Sequence, residues 1–246
     1  MLKTTFLNNV LNQYKIKPYL VLLFLIIFSS TTFSETKLVI LGSGTPNPDP
    51  NRFGSGYAII VNEKAYIVDF GPGIVRRISA MSPSWGGEFS AMELENINIA
   101  FLTHIHSDHS GALADLILTP WVMGRDEPLK LFGPQGLKKM AKKITEAYED
   151  DINYRLYGSQ PANKLGYVTN VREIFDDGLI YKDDNVEVTA FKNSHGDLED
   201  SFGYLFETND KKILFSGDTA VSENLKKYGK NLDTVSYTHL TLPTNT

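Results

Sequence analysis

The chain has 246 residues, enough for one large α/β domain or two small ones. Its net charge of −5 gives no sign of the basic surface that attracts nucleic acid over long range, so we do not expect nucleic acid to be a partner. The absence of cysteine excludes disulfides, thiolate metal sites and cysteine nucleophiles, and it leaves imidazole and carboxylate as the groups available to bind a metal.

The first 34 residues are typical of a secretory signal. Lys3, Lys15 and Lys17 precede an apolar run at residues 19–28, and a small polar stretch follows it. A membrane anchor is the alternative, but the ten residues of this run are too few for a bilayer span, which needs about 20. We therefore predict a cleaved signal peptide at residues 1–34 and a periplasmic or secreted protein, with membrane contact only through an uncleaved signal.

The mature part is predicted to begin with a set of strands. The elements before the first motif are strands at residues 37–41, 57–61, 65–69 and 97–103 and a helix near 74–81. The polar turn 62–64 between two of these strands indicates a hairpin. The Gly-rich turn 42–46 lacks the third glycine of a dinucleotide-binding motif and the Gly-Lys-Ser/Thr of a phosphate loop. Because an antiparallel set precedes the helices, we predict an α+β fold rather than a doubly wound parallel sheet.

Three of the five histidines lie in one segment, Thr103-His104-Ile105-His106-Ser107-Asp108-His109. Histidines two apart in extended chain project to the same side, so His104 and His106 can bind one ion. Asp108 and His109 fall in the turn before a helix predicted at 112–118, where an Asp also suits a helix start. Imidazole and carboxylate are zinc ligands, and three ligands with one open position mark a catalytic site. A surface loop without an ion is the alternative, but it would not need an ordered strand and helix around it.

Further ligands must come from elsewhere in the chain. His195 follows a strand predicted at 186–191, and Asp218 ends a strand predicted at 213–218. Taken alone, the first could be a solvated loop histidine and the second a cap. However, Gly217 permits close backbone approach beside Asp218, whose carboxylate can bridge two ions about 3.5–4 Å apart. We therefore include both residues as candidate ligands.

These motifs resemble those of the metallo-β-lactamase superfamily. The resemblance rests on the segment 104–109, the strand-terminal Asp69, His195 and the stretch Ser216-Gly217-Asp218-Thr219. The turn Leu41-Gly42-Ser43-Gly44-Thr45-Pro46 narrows it to the branch of ribonuclease Z and related arylsulfatase-like and phosphodiesterase-like hydrolases. The resemblance implies an αββα sandwich with a two-metal centre at one edge.

The resemblance also assigns roles to the candidate residues. One ion would be held by His104, His106 and His195, and the other by Asp108, His109 and a bridging Asp218. Asp69 would hold the ligands in position without binding an ion itself. A hydroxide between the ions would be the nucleophile, because metal coordination lowers the pKa of water toward about 7. We expect zinc, with manganese or iron as alternatives, and we assign Asp108 and His109 a catalytic role in addition.

The end of the sequence departs from the family pattern, which continues to a last histidine that completes the second metal site. No charged residue follows Asp233, and the composition changes abruptly. We therefore expect a hydrolase domain at residues 35–234, a non-native tail at 235–246, and a truncated copy that lacks the last strand and helix of the fold and leaves a sheet edge open. His239 is the remaining candidate for the missing ligand, and its context is poor.

We predict an exported metal-dependent hydrolase that acts on a small-molecule ester, either a phosphodiester or a sulfate ester. A lactonase or β-lactam hydrolase of the same fold is one alternative, and a non-catalytic metal- or ligand-binding protein is the other. In the interval after the first motif, we predict a charged helix at 135–150. Arg155 is a weak candidate for contact with a phosphate or sulfate oxygen, and a solvated surface role is the favoured interpretation. Trp85 and Trp121 could line a pocket, but we expect both to pack in the core.

Overall fold

The computed structural model describes residues 35–239. The predicted signal peptide at residues 1–34 lies outside this part of the chain, and so do residues 240–246 of the predicted tail and the side chain of His239. Within the described part, no helix is both long enough and apolar enough to cross a membrane.

The first sheet has six strands and carries the first metal-binding motif at one edge. In sheet order they are β1 (Lys37–Gly42), β2 (Gly56–Val61), β3 (Lys64–Val68), β4 (Ile99–Phe101), β5 (Leu129–Gly133) and β6 (Thr169–Glu173). The predicted hairpin is confirmed, because β2 and β3 are antiparallel with Val61 paired to Lys64. Strands β3 to β6 are parallel. Asp69 and the motif at 103–109 therefore leave β3 and β4 at the same sheet edge.

The second sheet has five strands and brings the distant candidate ligands to the same place. The strands are β7 (Gly178–Lys182), β8 (Glu187–Lys192), β9 (Phe202–Glu207), β10 (Lys212–Thr219) and β11 (Thr234–His239), in the order β11-β10-β9-β8-β7. All neighbours are antiparallel except β10 and β11. Strand β11, most of which lies in the predicted tail, pairs with β10, so among the described residues the expected open edge at β10 is not found.

The described part also contains six α-helices: α1 (Ile74–Ala80), α2 (Ser107–Ser110), α3 (Leu113–Val122), α4 (Leu137–Ala147), α5 (Glu149–Tyr157) and α6 (Glu223–Tyr228). The single helix predicted at 135–150 is wrong. Tyr148 leaves the helical conformation, with φ −101° and ψ 17°, and α5 begins after it. Glu149 and Asp150, which the prediction placed at a helix end, form the first turn of α5 together with Asp151, where negative charge favours a helix start.

Two apolar layers hold the molecule together, one on each face of the first sheet. Alternate side chains of strand β2 contribute to both layers. Ala58 and Ile60 pack in the layer under α1, α3 and α4, while Ile59 and Val61 pack in the layer between the two sheets. On the outer face of the second sheet, Tyr228 of α6 stacks on Phe191 with ring centroids 4.9 Å apart. The layer order is the predicted αββα sandwich.

The two tryptophans behave differently. Trp121 is buried in α3 and donates its indole N–H to the Asn163 carbonyl, as expected of a core residue. The same expectation is wrong for Trp85, which is 73% exposed. Trp85 ends a short 3₁₀ helix, Pro83–Trp85, that lies on the surface of the helical layer, so no second layer covers its ring.

A buried arginine ties this helical layer to a long irregular segment. The Arg125 guanidinium is almost fully buried, and its donors reach four backbone carbonyls, those of Ile97, Leu116, Ile117 and Gly166. All of these acceptors are backbone carbonyls, and burial lowers the pKa of Arg125 to about 10. The guanidinium fork therefore joins α3 to the segment 158–168 through carbonyl acceptors alone.

Candidate metal centre

Three imidazoles converge at the shared edge of the two sheets. His106 Nδ1 lies 3.1 Å from His104 Nε2 and 3.1 Å from His195 Nε2. Ligand atoms around a tetrahedral zinc at its usual Zn–N distances stand about 3.3 Å apart, so this spacing suits one shared cation. The chain thus brings together the three residues that the sequence assigned to the first ion, two from the turn after β4 and one from the loop after β8.

A second group lies directly beside the first. Nitrogen and oxygen ligand atoms of His104, His109 and Asp218 all lie within 4.8 Å of one another. His109 Nε2 is 3.4 Å from Asp218 Oδ1 and 3.5 Å from Asp108 Oδ2. The geometry therefore gathers all six predicted ligands. It also places His104 in both groups, where the sequence had assigned it to the first ion only.

The donor set fits a divalent cation electrostatically as well as geometrically. Burial, and then the neighbouring His109, lower the pKa of His104, and burial likewise lowers the pKa of His195 despite the nearby Asp218. Both side chains are therefore neutral imidazoles at neutral pH, with lone pairs available to a metal. Metal ligation requires this deprotonated form.

His109 has the opposite tendency. Burial acts to lower its pKa, but the carboxylates of Asp69 and Asp218 together raise the pKa to about 10. For Asp218 burial acts to raise the pKa, and the bond to His109 lowers it. Among the protein groups alone, a proton on His109 thus balances the surrounding carboxylates. A cation at His109 Nε2 would displace that proton, so metal binding here should release protons.

Asp69 lies behind His109, as the sequence predicted for a supporting residue. Its Oδ2 is 2.7 Å from His109 Nδ1, which directs Nε2 of the same ring toward Asp108 and Asp218. Its Oδ1 accepts the backbone N–H of Thr103 at 2.8 Å. Asp69 adopts a left-handed conformation with φ 57°, which Asp tolerates better than most residues and which turns the chain sharply at the end of β3.

Thr103 is a supporting residue that the sequence argument did not single out. Its fully buried hydroxyl lies 3.0 Å from Asp69 Oδ2 and 3.0 Å from His104 Nδ1. A hydroxyl that donates to the carboxylate can accept the N–H of His104 Nδ1, and this tautomer leaves His104 Nε2 free for a cation. Its position immediately before the first histidine was the available signal, but only the fold shows that Asp69 and His104 meet there.

Close backbone contacts fix the motif to the loops around it. The Asp108 carbonyl accepts the N–H of Ser55 at 2.9 Å, and a Cβ on Gly71 would overlap the same oxygen. Gly217, with φ 60°, packs so closely on Thr103 that a Cβ there would lie 2.9 Å from the Thr103 Cβ. These glycines permit the approach of three separate segments. Asp108 lies in the first turn of α2, where an acidic side chain suits a helix start as expected.

Two other features lie apart from the centre. Arg155 forms an ion pair with Asp151 one helical turn before it, with 3.0 Å between Nε and Oδ2, as expected for the solvated alternative. A cleft of about 430 Å³ opens between α1 and α3, and its lining includes Val75, Trp85 and Met123 but none of the six candidate ligands. The chemistry is therefore concentrated at the sheet edge.

Comparison with known proteins agrees with this architecture. A family model described as anti-Pycsar protein Apyc1 matches residues 36–239. The ribonuclease Z of Mycobacterium bovis strain BCG is 26% identical over 209 residues, which are 82% of this chain and 69% of that protein.

Two solved structures share the fold. Human tRNase Z, short form, aligns with a TM-score of 0.64 at 20% identity, covering 82% of this chain and 76% of that one. Zn²⁺-bound PqqB from Methylobacterium extorquens aligns with a TM-score of 0.54 at 19% identity, covering 82% and 71%. The predicted metallo-β-lactamase fold is confirmed, and the chain is a ribonuclease Z-like, metal-dependent hydrolase.

Proposed function

Since this chain belongs to the family of the anti-Pycsar protein Apyc1, we propose that it hydrolyses phosphodiester bonds at the centre described above. The observation that carries the proposal is the convergence of His104, His106 and His195 on one point beside His109 and Asp218. The name of its relative ribonuclease Z, an enzyme that cleaves RNA, supports the choice of a phosphodiester among the possible esters. No feature of the described residues favours a sulfate ester, a lactone or a β-lactam.

The residues present fit two divalent cations, and we propose zinc first because neutral imidazole and carboxylate are its usual ligands in the absence of thiolates. Manganese and iron remain compatible with the same donors. When bound, such cations supply Lewis acidity and a reactive water at neutral pH. His104, His106 and His195 would hold one ion, while Asp108, His109 and Asp218 would hold the other, with Asp218 shared.

The chain's own groups keep these ligands in place. His109 donates its Nδ1–H to Asp69, and His104 donates its Nδ1–H to the Thr103 hydroxyl. Both rings therefore present Nε2 to the centre. Asp69, Thr103 and His104 are buried, which excludes competing water from the rear of the site, while His106 is exposed and faces the substrate side. The substrate must therefore approach from the side of His106 and His195.

Charge at the entrance favours a small substrate. The loop that carries His195 also carries three carboxylates, those of Asp197, Glu199 and Asp200. These carboxylates repel a diester with one negative charge only weakly, whereas they would repel a long polyanion along its length. We therefore propose a small phosphodiester rather than RNA. We also propose, from residues 1–34, that the protein acts outside the cytoplasm, which cell fractionation of the full chain would test.

The activity can be tested with chromogenic substrates. We expect the full chain, stripped of metal and then given Zn²⁺ or Mn²⁺, to hydrolyse bis(p-nitrophenyl) phosphate and to leave p-nitrophenyl sulfate and nitrocefin unchanged. Chelation should stop turnover, and re-addition of the ion should restore it. The variant Asp218→Ala should remain folded and lose turnover, because it removes the carboxylate shared by both ion sites.

The outcomes separate the competing functions. Turnover of the sulfate ester alone would replace the phosphodiester proposal with sulfate-ester hydrolysis, and turnover of nitrocefin alone would replace it with β-lactam hydrolysis. A folded, metal-loaded chain that acts on none of the three would indicate a binding protein. Faster cleavage of single-stranded RNA than of the small diester would overturn the substrate-size proposal and leave the metal centre intact.

A further inference from the structure

A network of hydrogen bonds joins the two candidate ligands of the second sheet, although their strands are not neighbours. His195 follows β8 and Asp218 lies in β10, and β9 runs between them. Strands in a sheet stand about 4.8 Å apart, so the two ligand-bearing segments are about 10 Å apart within the sheet. The loop after β8 folds over the start of β9 and reaches β10. The loop after β8 and the end of β10 are therefore held together by hydrogen bonds other than those between neighbouring strands.

Those bonds come from the residues flanking each ligand. The Ser194 carbonyl accepts the N–H of Ala220 at 2.7 Å, and the Ser194 N–H is donated to Thr219 Oγ1 at 3.3 Å. The Asn193 amide nitrogen donates to the Ser216 carbonyl. We name this set, Asn193, Ser194, Ser216, Thr219 and Ala220, the ligand clasp.

Thr219 is the central side chain of the ligand clasp. It is fully buried, and its hydroxyl donates to the Ala220 carbonyl at 2.7 Å while it accepts from Ser194. The neighbouring His195 is only half-buried and stands in a loop whose next residue, Gly196, has a φ of 57°. A loop of this kind has little apolar packing to fix its position. The clasp is therefore the contact that can set where His195 stands relative to Asp218.

We propose that Thr219 is a positioning residue that couples the two cation sites by fixing His195 against Asp218. The inference rests on the proposed function only in that both require a metal. Loss of the hydroxyl leaves every ligand in the chain but lets the His195 loop drift from His106, whose Nδ1 is now 3.1 Å from His195 Nε2. Changes of partners outside the ligand set typically cost about 10–100-fold in metal affinity, and we expect a loss of this size.

The test uses three variants of the full chain and Zn²⁺ as the probe. Thr219→Val keeps the shape and removes the hydroxyl, Thr219→Ser keeps the hydroxyl, and Thr208→Val is a matched control. The Thr208 hydroxyl also bonds backbone, at Lys211 in the β9–β10 turn, at the other end of the same sheet. Zinc affinity is measured by competition with a chelating dye, zinc content by elemental analysis, and ligand geometry by the visible spectrum of the cobalt-substituted protein.

We expect Thr219→Val to bind zinc about 10–100-fold more weakly and to change the cobalt spectrum, with Thr219→Ser and Thr208→Val near wild type. Thr219→Val with wild-type affinity and spectrum would overturn the ligand clasp and leave the proposed function standing. An equal loss in Thr208→Val would overturn it as well, because the effect would then be one of general stability. A wild-type chain that binds no zinc would overturn both proposals.

Discussion

Strand β3 starts at Lys64 in one polar cluster and leads, at Asp69, into another. In the cluster at the start, the Asp183 carboxylate from the turn between β7 and β8 accepts from Lys64 Nζ at 2.7 Å and from the hydroxyls of Tyr66 and Tyr181, each at 2.8 Å. Burial opposes the charge on Asp183, but these donors hold its pKa below the ordinary value. Every donor there faces an acceptor.

The cluster at the other end of β3 is built from like groups. His104, His106 and His195 turn nitrogen atoms toward one another, and burial lowers the pKa of His104 and His195 rather than favouring a charge that could pair. The groups around them, Asp69 and Thr103, are by contrast fully bonded. Strand β3 thus connects a cluster in which donors pair with a carboxylate to a second cluster in which three imidazole nitrogens converge on a point where a cation can bind. The pairing of donors with a carboxylate marks the structural cluster, and the convergence of metal-ligating nitrogens marks the functional one.

Removal of one facing nitrogen should give the largest effect. We expect His106→Ala to reduce zinc content and phosphodiester turnover by more than about 100-fold, since even changes outside the ligand set cost about 10–100-fold. The melting temperature of the metal-free protein should change little, because the His106 side chain is exposed. Elemental analysis, the chromogenic assay and calorimetry measure these quantities. Unchanged zinc stoichiometry, or a large loss of metal-free stability, would break the comparison.

Removal of the Asp183 carboxylate from the other cluster should reduce stability and leave metal binding unchanged. Asp183→Asn leaves buried donors without their charged acceptor, which we expect to cost about 1–3 kcal/mol in the free energy of unfolding. Zinc affinity and turnover should not change. The neighbouring Asp184→Asn is the matched control, because Asp184 is exposed in the same turn. Urea unfolding of the metal-free proteins measures the difference, and a loss of zinc binding in Asp183→Asn would contradict the division of roles.

The pH dependence of that difference sharpens the comparison. Because the pKa of Asp183 is lower in the folded chain than its ordinary value of 3.8, the carboxylate stabilises the fold fully above about pH 4. As the pH falls below that value, the unfolded chain takes up the proton first, and the contribution is lost. The stability gap between wild type and Asp183→Asn should therefore be constant near neutrality and narrow in acid. Unfolding curves from pH 7 to 3 would show whether it does.

The smallest effect is expected at Arg155, which belongs to neither cluster. Its pair with Asp151 on α5 is partly exposed, and helix pairs of this spacing contribute about 0.3–0.5 kcal/mol. Arg155→Gln should change stability by no more than that and leave kcat/KM for the diester unchanged. A rise in KM with unchanged kcat would instead restore Arg155 as a substrate contact.

Local pattern was enough to predict much of this molecule. The hairpin of β2 and β3 follows from apolar alternation and turn residues, and the αββα layers follow from the resemblance to the metallo-β-lactamase superfamily. The ligands at 104–109 are visible because they are neighbours in sequence, and His195 and Asp218 are visible because each follows or ends a strand. The break at Tyr148 was missed because a charged helical pattern runs through it without glycine or proline.

The supporting roles of Thr103 and Thr219 could not be predicted from the sequence, for a different reason. The Thr103 hydroxyl matters because Asp69, 34 positions earlier, folds onto it, and Thr219 matters because Ser194 reaches it across β9. Threonine is common in strands, so neither position carries a local signal. Trp85 was wrongly placed in the core because its residue type suggests burial, while its exposure depends on where the 3₁₀ helix lies on the surface.

Arg125 has a consequence for how the helical layer opens. Its guanidinium is bound to Gly166 in the irregular segment 158–168 and to Leu116 and Ile117 in α3. If that segment detached alone, a buried positive charge would lose acceptors while still surrounded by apolar side chains, which is strongly unfavourable. The segment and the middle of α3 should therefore exchange their amide hydrogens together, as one cooperative unit, even though the segment has no helix or strand of its own.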